Sequence, residues 1–417
     1  MNRSSIISLA FAAVCLLSVS CGRNSVSSGS GISTQNSTQQ VTSATENEVT
    51  QSTTKESVVS NEQTDNDQNT GNYEFHADTV KAEDIYNCKV YNVPENIDGY
   101  EYYLLDIYDK NKILTQVFES GTESVNSAVQ VGVYDLTDNS FLKMFEMNSD
   151  DALAAYDNDY YILYEREDHS ANSMSNDYSR IYLYNAKDQT QQQIMKFDEI
   201  FSSSAMNAGT LLYNNCVYFT TITYCENAFN SEKGDIYSIF RYDIQTGELT
   251  KLCEDAYNPI IANGRPAAYF YDEKTKDYTA IRPIDTENDD FSFNMDNNTM
   301  YINITDDGVF AVYRKGQKKT IRELDSQTDI LSTDQSGMEY FEDLKVNSSY
   351  AVWNDISGEK QTPYIYDLSE KKLVEFSNLH DGYYRCCIKD DYGFIESFEY
   401  TTDCKKTGHT VCIFEKK

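Results

Sequence analysis

Several residue types and patterns are scarce in this sequence of 417 residues. It contains 5 prolines, 4 histidines and 1 tryptophan, and no long segment places apolar residues at helical spacing. It has no CxxC pair, and its histidines lie far apart in the chain, which disfavours a zinc site. A phosphate-binding glycine loop, a GxSxG elbow and an HExxH helix are also missing. The sequence therefore predicts no catalytic residue, no metal site and no cofactor.

Positive charge is scarce as well. The chain has 34 basic and 67 acidic residues, which gives a net charge of −33. A surface this acidic repels phosphate backbones and anionic lipid headgroups, so we expect no nucleic-acid partner. Adjacent acids such as Asp289-Asp290 are interpreted as solvated turns, although whether the acidic segment Asp285–Asn298 binds calcium stays open.

The first 20 residues have the features of a secretory signal peptide. Arg3 supplies a positive charge, Ile6–Leu17 is apolar, and small residues precede Cys21. The apolar part is about a dozen residues long, too short to span a bilayer, and a small-residue cleavage site follows it. The segment resembles bacterial lipoprotein signals (Leu, small, small, Cys), with Ser18 in place of the leucine. This resemblance implies a lipid on Cys21 that anchors the protein to the extracytoplasmic face of the cell membrane.

Residues 21–72 differ in composition from the rest of the chain. From Gly22 to Asn72 there is no aromatic residue and no further cysteine, and Ser, Thr, Asn and Gln make up most of the segment. Such a segment buries too little apolar surface to offset its ordering entropy, so we expect a disordered linker. The predicted layout is a signal peptide at 1–20, a lipidated cysteine with its linker at 21–72, and one folded domain at 73–417.

Eight cysteines belong to this folded domain. An even number in an exported chain permits disulfides. Two pairs are close enough in sequence to bridge a hairpin, Cys216 with Cys225 and Cys404 with Cys412, and these four are the candidate disulfide residues. The sequence leaves their connectivity open.

The folded domain is rich in tyrosine and is predicted to consist of strands. Short alternating runs bounded by Asn, Asp and Gly are typical of half-buried strands. The clearest runs are Tyr160–Glu165, Val217–Tyr224, Thr299–Ile304, Tyr350–Asn354 and Phe394–Tyr400. The adjacent Cys386 and Cys387 point to opposite faces if they lie on a strand, which predicts at least one buried thiol.

One element recurs along the domain: an apolar strand that ends in tyrosine, a polar turn, and a second apolar strand. Asp or Asn at the turn entry can accept a hydrogen bond from the backbone two residues on, and Gly247 or Gly316 can supply a positive φ. The copies are Val133-Tyr134-Asp135, Leu183-Tyr184-Asn185, Arg241-Tyr242-Asp243, Phe270-Tyr271-Asp272, Val312-Tyr313-Arg314 and Ile365-Tyr366-Asp367.

The spacing of these copies predicts the architecture. From Tyr134 to Tyr366 the five intervals average about 46 residues, although single intervals run from 29 to 58. That average suits a four-stranded propeller blade of roughly 40–50 residues. The prediction is an all-β fold, a β-propeller of about seven four-stranded blades, with six or eight also possible. Two tandem β-sandwich domains are the alternative.

A resemblance supports this prediction. The stretch from Ile239 to Leu252, with Tyr242-Asp243 and Thr246-Gly247 at its turn, is similar to the blade hairpin of TolB-like and WD40-like β-propellers. Ile365–Val374 repeats the pattern without the glycine. The match spans about fourteen residues per blade and implies a fold but not an activity.

These observations lead to two functional hypotheses. The first is a membrane-tethered extracytoplasmic lipoprotein whose propeller acts as a binding or scaffold module for an unidentified surface protein or glycan. The alternative is an extracellular carbohydrate-active enzyme, a glycoside hydrolase or lyase, whose carboxylates are brought together only by the fold. Side chains that converge on the centre of the ring would discriminate between them.

Overall fold

The computed structural model describes part of the folded domain. Within residues 73–417 it excludes 120–127, 149–150, 158, 166–177, 202–208, 224–235, 263, 285–291, 296–298, 306–307, 316–317, 324–326, 334–340, 348, 356–361, 377–382 and 401–405. The described residues form thirty strands and one helix of four residues. No helix among them is long and apolar enough to cross a membrane.

The strands form seven sheets, each with a core of four antiparallel strands. In blades 1–4 the four strands follow one another along the chain. They are β4 (Tyr100–Asp109), β5 (Lys112–Glu119), β6 (Ala128–Asp135) and β7 (Ser140–Asn148) in blade 1; β8 (Ala152–Tyr156), β9 (Tyr160–Glu165), β10 (Tyr178–Asn185) and β11 (Thr190–Phe201) in blade 2; β12 (Thr210–Tyr213), β13 (Cys216–Thr223), β14 (Ile236–Asp243) and β15 (Leu249–Glu254) in blade 3; β16 (Ala256–Ala262), β17 (Arg265–Asp272), β18 (Asp277–Pro283) and β19 (Phe293–Asn294) in blade 4.

Blades 5–7 also receive strands from the N-terminal end of the domain, which precedes blade 1. Those strands are β1 (Tyr73–Phe75), β2 (Thr79–Lys81) and β3 (Tyr86–Asn92), with the helix α1 (Ala82–Ile85) between the last two. The remaining strands are β20 (Thr299–Thr305), β21 (Gly308–Lys315), β22 (Lys318–Glu323) and β23 (Thr328–Thr333) in blade 5; β24 (Phe341–Val346), β25 (Tyr350–Asp355), β26 (Thr362–Asp367) and β27 (Lys372–Glu375) in blade 6; β28 (Tyr383–Lys389), β29 (Tyr392–Tyr400) and β30 (Lys406–Lys416) in blade 7.

The seven sheets are arranged as a closed ring. The first strand of each blade lies innermost, so that β8 contacts β12, β12 contacts β16, β16 contacts β20, β20 contacts β24, and β28 contacts β4. Buried apolar clusters lie between neighbouring blades, including the pair formed by blade 7 and blade 1. The fold is therefore a seven-bladed β-propeller, as predicted, and the two-sandwich alternative is wrong.

Burial on both faces explains why the strands alternate only weakly between apolar and polar residues. In β9, Tyr161 and Leu163 pack toward blade 1, whereas Ile162 and Tyr164 pack toward blade 3. All four side chains are buried. Each blade is covered on both sides by its neighbours, so a strict alternation is not required.

The tyrosine hairpins have the predicted turn. The Asp or Asn side chain at the turn entry accepts a hydrogen bond from the amide two residues later in five copies, for example from Gln245 to Asp243 at 3.0 Å. The residue four positions after the entry has a positive φ in the same copies, including +72° at Gly247. The amide of this left-handed residue donates to the carbonyl of the turn-entry residue in several copies, as from Gly247 to Asp243 at 2.8 Å, and this bond closes the hairpin loop. Gly316 lies outside the described residues.

The uneven spacing of the hairpins also has a structural cause. In blades 1, 2, 3 and 6 the hairpin joins the third and fourth strands, as at Tyr134 and Tyr366. In blades 4 and 5 it joins the second and third strands, at Tyr271 and Tyr313. The interval from Tyr242 to Tyr271 is therefore short because the hairpin occurs one position earlier in its blade.

The N-terminal segment wraps the outside of three blades, an arrangement that the sequence did not predict. Strand β1 pairs antiparallel with β23 of blade 5, β2 pairs parallel with β27 of blade 6, and β3 pairs antiparallel with β30 of blade 7. Strand β3 is the outermost strand of blade 7 and therefore completes it. The ring is closed by pairing the first part of the domain with its last strand.

Candidate functional site

Most of the residues singled out in the sequence lie outside the described part. Cys21, Cys225 and Cys404 are outside it, and only residues 292–295 of the acidic segment Asp285–Asn298 are described. Cys216 is a half-buried free thiol in β13, and Cys412 is a buried free thiol in β30. The two hairpin disulfides thus stay predictions, and calcium binding by Asp285–Asn298 stays open. Cys386 and Cys387 are both buried, on opposite faces of β28, which confirms the expected buried thiol.

A bulge in the innermost strand of blade 1 is the starting point of the candidate site. In the pairing of β4 with β5, Leu104 is opposite Thr115 and Asp106 is opposite Leu114, so Leu105 has no partner. The inner edge of β4 faces the middle of the ring and has no further strand to pair with. Bulges of this kind redirect side chains and are common beside active sites.

Arg385 of β28 donates hydrogen bonds to backbone carbonyls on this inner edge. Its guanidinium donates to the carbonyl of Leu104 and, at 3.1 Å, to the carbonyl of Leu105. The thiol of Cys387 donates to the same Leu105 carbonyl at 3.5 Å. Blade 7 thereby supplies the hydrogen bonds that the bulge leaves open, because a buried carbonyl without a partner is destabilising.

Two half-buried side chains from other blades complete the site. Asp106 follows the bulge in β4, and Tyr156, the last residue of β8, is close enough to interact electrostatically with its carboxylate. Burial, followed by the charge of Asp106, raises the pKa of the Tyr156 hydroxyl, while Arg385 opposes that rise. We call Asp106, Tyr156, Arg385 and Cys387 the axial cluster. It brings a carboxylate, a phenol, a guanidinium and a thiol together from the inner strands of three successive blades.

The thiol of the axial cluster, Cys387, is governed mainly by its burial. Burial raises the pKa of Cys387, and the positive charges of Lys345 and Arg385 reduce that rise without cancelling it. A protonated thiol is a poor nucleophile. Cys387 donates a hydrogen bond to the backbone, and Asp106, Tyr156 and Arg385 are the other polar side chains of the axial cluster.

A second polar group lies deeper between blades 7 and 1. His409 Nε2 is 2.7 Å from Glu396 Oε1, and His409 Nδ1 contacts the Tyr102 hydroxyl. The Tyr102 hydroxyl donates to the carbonyl of Pro94 at 2.5 Å. The imidazole of His409 therefore contacts Glu396 through one ring nitrogen and Tyr102 through the other. All three side chains are at most 4% exposed, so this set holds blades together and does not reach a ligand.

The third polar group joins blades 6 and 7. Asp367, at a hairpin turn of blade 6, is fully buried and accepts a hydrogen bond from Tyr86 of β3 at 2.6 Å. Lys416 of β30 lies 3.4 Å from the same carboxylate. We call the two junctions of blade 7, with blade 6 and with blade 1, the seam. Both chain ends of the domain are fixed there by buried charged side chains.

The sequence did not single out Asp106, Tyr156 or Arg385. No motif surrounds them, and each lies on a different blade, so their proximity depends on closure of the ring. Among the described residues, no group of three or more His, Cys, Asp or Glu side chains is placed to hold a metal ion. The only local indication in the sequence is an acid within the apolar strand Tyr100–Asp109.

Comparison with known proteins assigns no activity to this chain. No protein-family model matches the sequence, and no curated protein matches it. Solved structures do match. They include the acylaminoacyl peptidase of Pyrococcus horikoshii, at 10% identity and a TM-score of 0.49, over 76% of this chain and 52% of that one. This chain thus spans about half the length of that peptidase.

Two further matches cover nearly the whole of the other chain. The β-propeller domain of the trilobed protease of Pyrococcus furiosus matches at 11% identity and a TM-score of 0.47, over 73% of this chain and 93% of that domain. An oligogalacturonate lyase of Vibrio parahaemolyticus matches at 12% identity and a TM-score of 0.46, over 83% and 98%. The chain is a β-propeller, and likeness at this identity concerns the fold alone.

Proposed function

We propose that this protein is a lipid-anchored, extracytoplasmic binding module whose propeller recognises a neutral glycan at the axial cluster. The observation that carries the proposal is the convergence of Asp106, Tyr156 and Arg385 from three blades at the centre of the ring. The signal at residues 1–20, Cys21 and the polar linker support the location.

The chemistry of the axial cluster favours a ligand with many hydroxyl groups. A carboxylate accepts hydrogen bonds, a guanidinium donates them, and a phenol does both and offers an aromatic face. Specific small-ligand sites combine a few such polar groups with an enclosed position in the fold. The net charge of −33 disfavours an anionic ligand, which leaves neutral oligosaccharides as the best-fitting class.

Binding is tested with the full chain on an array of neutral cello-, xylo-, manno- and chito-oligosaccharides. Calorimetry of any oligosaccharide that binds then compares wild type with Asp106→Asn and Tyr156→Phe. We expect Asp106→Asn to weaken binding about 10- to 100-fold, since a hydrogen bond to a charged group contributes roughly 1.5–3 kcal/mol. Glu254→Gln, an exposed position on the outer strand β15, is the matched control and keeps full affinity.

Other outcomes would contradict the proposal. An array without a single bound oligosaccharide would argue against a glycan ligand, and unchanged affinity in Asp106→Asn would argue against the axial cluster. Shortened oligosaccharides after incubation would instead support the carbohydrate-active enzyme. The anchor is tested separately by fractionating cells that express Cys21→Ser: we expect release into the medium, and retention in the membrane would refute the tether.

A further inference from the structure

Two cysteines face each other where the ring closes. In the pairing of β3 with β30, Cys88 is opposite Phe414 and Val90 is opposite Cys412. Directly opposed residues point to the same side of a sheet, and so do residues two apart on one strand. Cys88 and Cys412 therefore lie on the same face of blade 7 as diagonal neighbours on adjacent strands.

The environments of the two thiols differ. Cys88 is exposed, because β3 is the outermost strand, whereas Cys412 is 3% exposed. A hydrogen bond with the Cys412 thiol lowers the pKa of Cys88, and the same contact raises the pKa of Cys412. One thiol is thus accessible to solvent, and its neighbour is buried but in contact with it.

We propose that Cys88 and Cys412 form a disulfide that locks β3 onto β30 and so fastens the propeller ring shut. Diagonal neighbours in a flat antiparallel ladder have Cα atoms about 7–8 Å apart, and bridged cysteines need about 4.4–6.8 Å. The difference of about an ångström is small for β3, because none of the described strands pairs with its outer edge. The bond would link the two ends of the domain covalently.

The chemistry is thiol–disulfide exchange with a small or protein disulfide as the oxidant. The Cys88 thiolate attacks the oxidant, forms a mixed disulfide and releases one thiolate. Cys412 then loses its proton, attacks the Cys88 sulfur and releases the second thiolate. The two cysteines lose two electrons and two protons, and the oxidant becomes two thiols. An exported protein meets such oxidants, although the reaction itself can be tested in vitro whether or not the chain is exported.

This inference competes with the predicted disulfide between Cys404 and Cys412, because Cys412 can form only one disulfide bond. Trypsin digestion places these three cysteines on three different peptides. Cys88 falls in the peptide 82–89, Cys412 in 407–416 and Cys404 in 390–405. A disulfide-linked pair of peptides therefore identifies the bond without any substitution.

The experiment uses the full chain, purified with reductant and then incubated with oxidised glutathione, alkylated and digested without reduction. We expect the linked pair 82–89 with 407–416, and a midpoint of thermal unfolding about 5–10 °C above that of the reduced chain, since the bond closes a very long loop. Cys88→Ser should abolish both the linked pair and the rise. Cys216→Ser, in blade 3, should preserve both.

Two results would overturn the proposed disulfide. Recovery of Cys412 linked to the peptide 390–405 would overturn the inference in favour of the hairpin bond. Recovery of Cys88 and Cys412 as alkylated thiols after oxidation would show that β3 cannot approach closely enough. Because both readouts use the wild-type chain, they stand even if Cys88→Ser fails to fold.

Discussion

Two junctions between blades are built in different ways. The junction of blades 3 and 4 is aromatic: the rings of Tyr237, Tyr257, Tyr269 and Tyr278 contact one another with centroids 4.9–5.8 Å apart. The seam also has ring contacts, such as Tyr86 with Phe414 at 5.5 Å, but it contains in addition a buried carboxylate at each of its faces, Asp367 and Glu396. The first junction lies within a continuous run of chain, and the second joins the two ends of the domain.

The difference indicates that closing the ring requires directional contacts. Aromatic packing tolerates small shifts, because its attraction depends mainly on buried area and loosely on angle. A buried carboxylate such as Asp367 or Glu396 is stable only when its partners are in place, so misaligned pairing at the seam is strongly disfavoured. We infer that the seam specifies how β3 and β30 align, and that the other junctions mainly supply apolar burial.

The largest expected effect comes from removing a buried charge at the seam. Glu396→Ala leaves His409 without the carboxylate that lies 2.7 Å from its Nε2. Breaking a buried ion pair from one side typically costs about 3–5 kcal/mol. Unfolding in urea, followed by tryptophan fluorescence of the buried Trp353, measures the loss.

The control for this prediction lies on the same strand. Glu399 is exposed, so Glu399→Ala should change the free energy of unfolding by less than about 0.5 kcal/mol. Equal losses in the two variants would show that the seam does not depend on its buried carboxylate.

A smaller loss of stability is expected for a substitution of Asp367, whose side chain both fixes its own hairpin turn and makes contacts across the seam. Asp367 and Asp243 occupy the same position in their hairpins, and both accept backbone hydrogen bonds. Only Asp367 also binds Tyr86 and Lys416 across the seam. Asparagine keeps the turn but removes the charge, so Asp367→Asn should lose about 2 kcal/mol at pH 7, and Asp243→Asn should lose less.

The difference in the free energy of unfolding between wild type and Asp367→Asn should also depend on pH. Burial raises the pKa of Asp367, but the hydrogen bonds from Tyr86 and Glu370 and the charge of Lys416 outweigh it and leave the pKa below its ordinary value. A lowered carboxyl pKa contributes stability that is full above about pH 4 and is lost as the pH falls through the folded-state value. Urea unfolding at pH 7 and pH 3 should therefore show the wild-type advantage shrinking in acid; a constant advantage would contradict this assignment.

The local chemistry of the hairpins made the fold predictable. An Asp or Asn after Tyr134, Tyr184, Tyr242, Tyr271 and Tyr366 fixes a turn by contacts within five residues, and that information is present in a short stretch of sequence. Repetition of the turn then predicted the blades and their approximate number.

The pairing of the N-terminal strands β1–β3 with blades 5–7 and the axial cluster could not be predicted in the same way. His76, which directly follows β1, contacts Ser332 of β23 across 256 residues, and Arg385 reaches Leu104 across 281. Such contacts exist only after the ring closes, and no periodicity of the chain encodes them. The segment Tyr73–Phe75 resembles any other short apolar run until the edge of blade 5 is available to it.

The last comparison removes a single tyrosine hydroxyl group from each of the two junctions. Tyr257→Phe preserves the ring contacts of the aromatic junction, so we expect a loss below about 0.5 kcal/mol. Tyr102→Phe at the seam leaves the His409 Nδ1 and the Pro94 carbonyl without their partner, and a buried unsatisfied group costs about 1–3 kcal/mol. Both variants remove one oxygen and retain the ring, so urea unfolding compares them directly. Equal losses would mean that the aromatic junction is as directional as the seam, and the distinction between the two regions would fail.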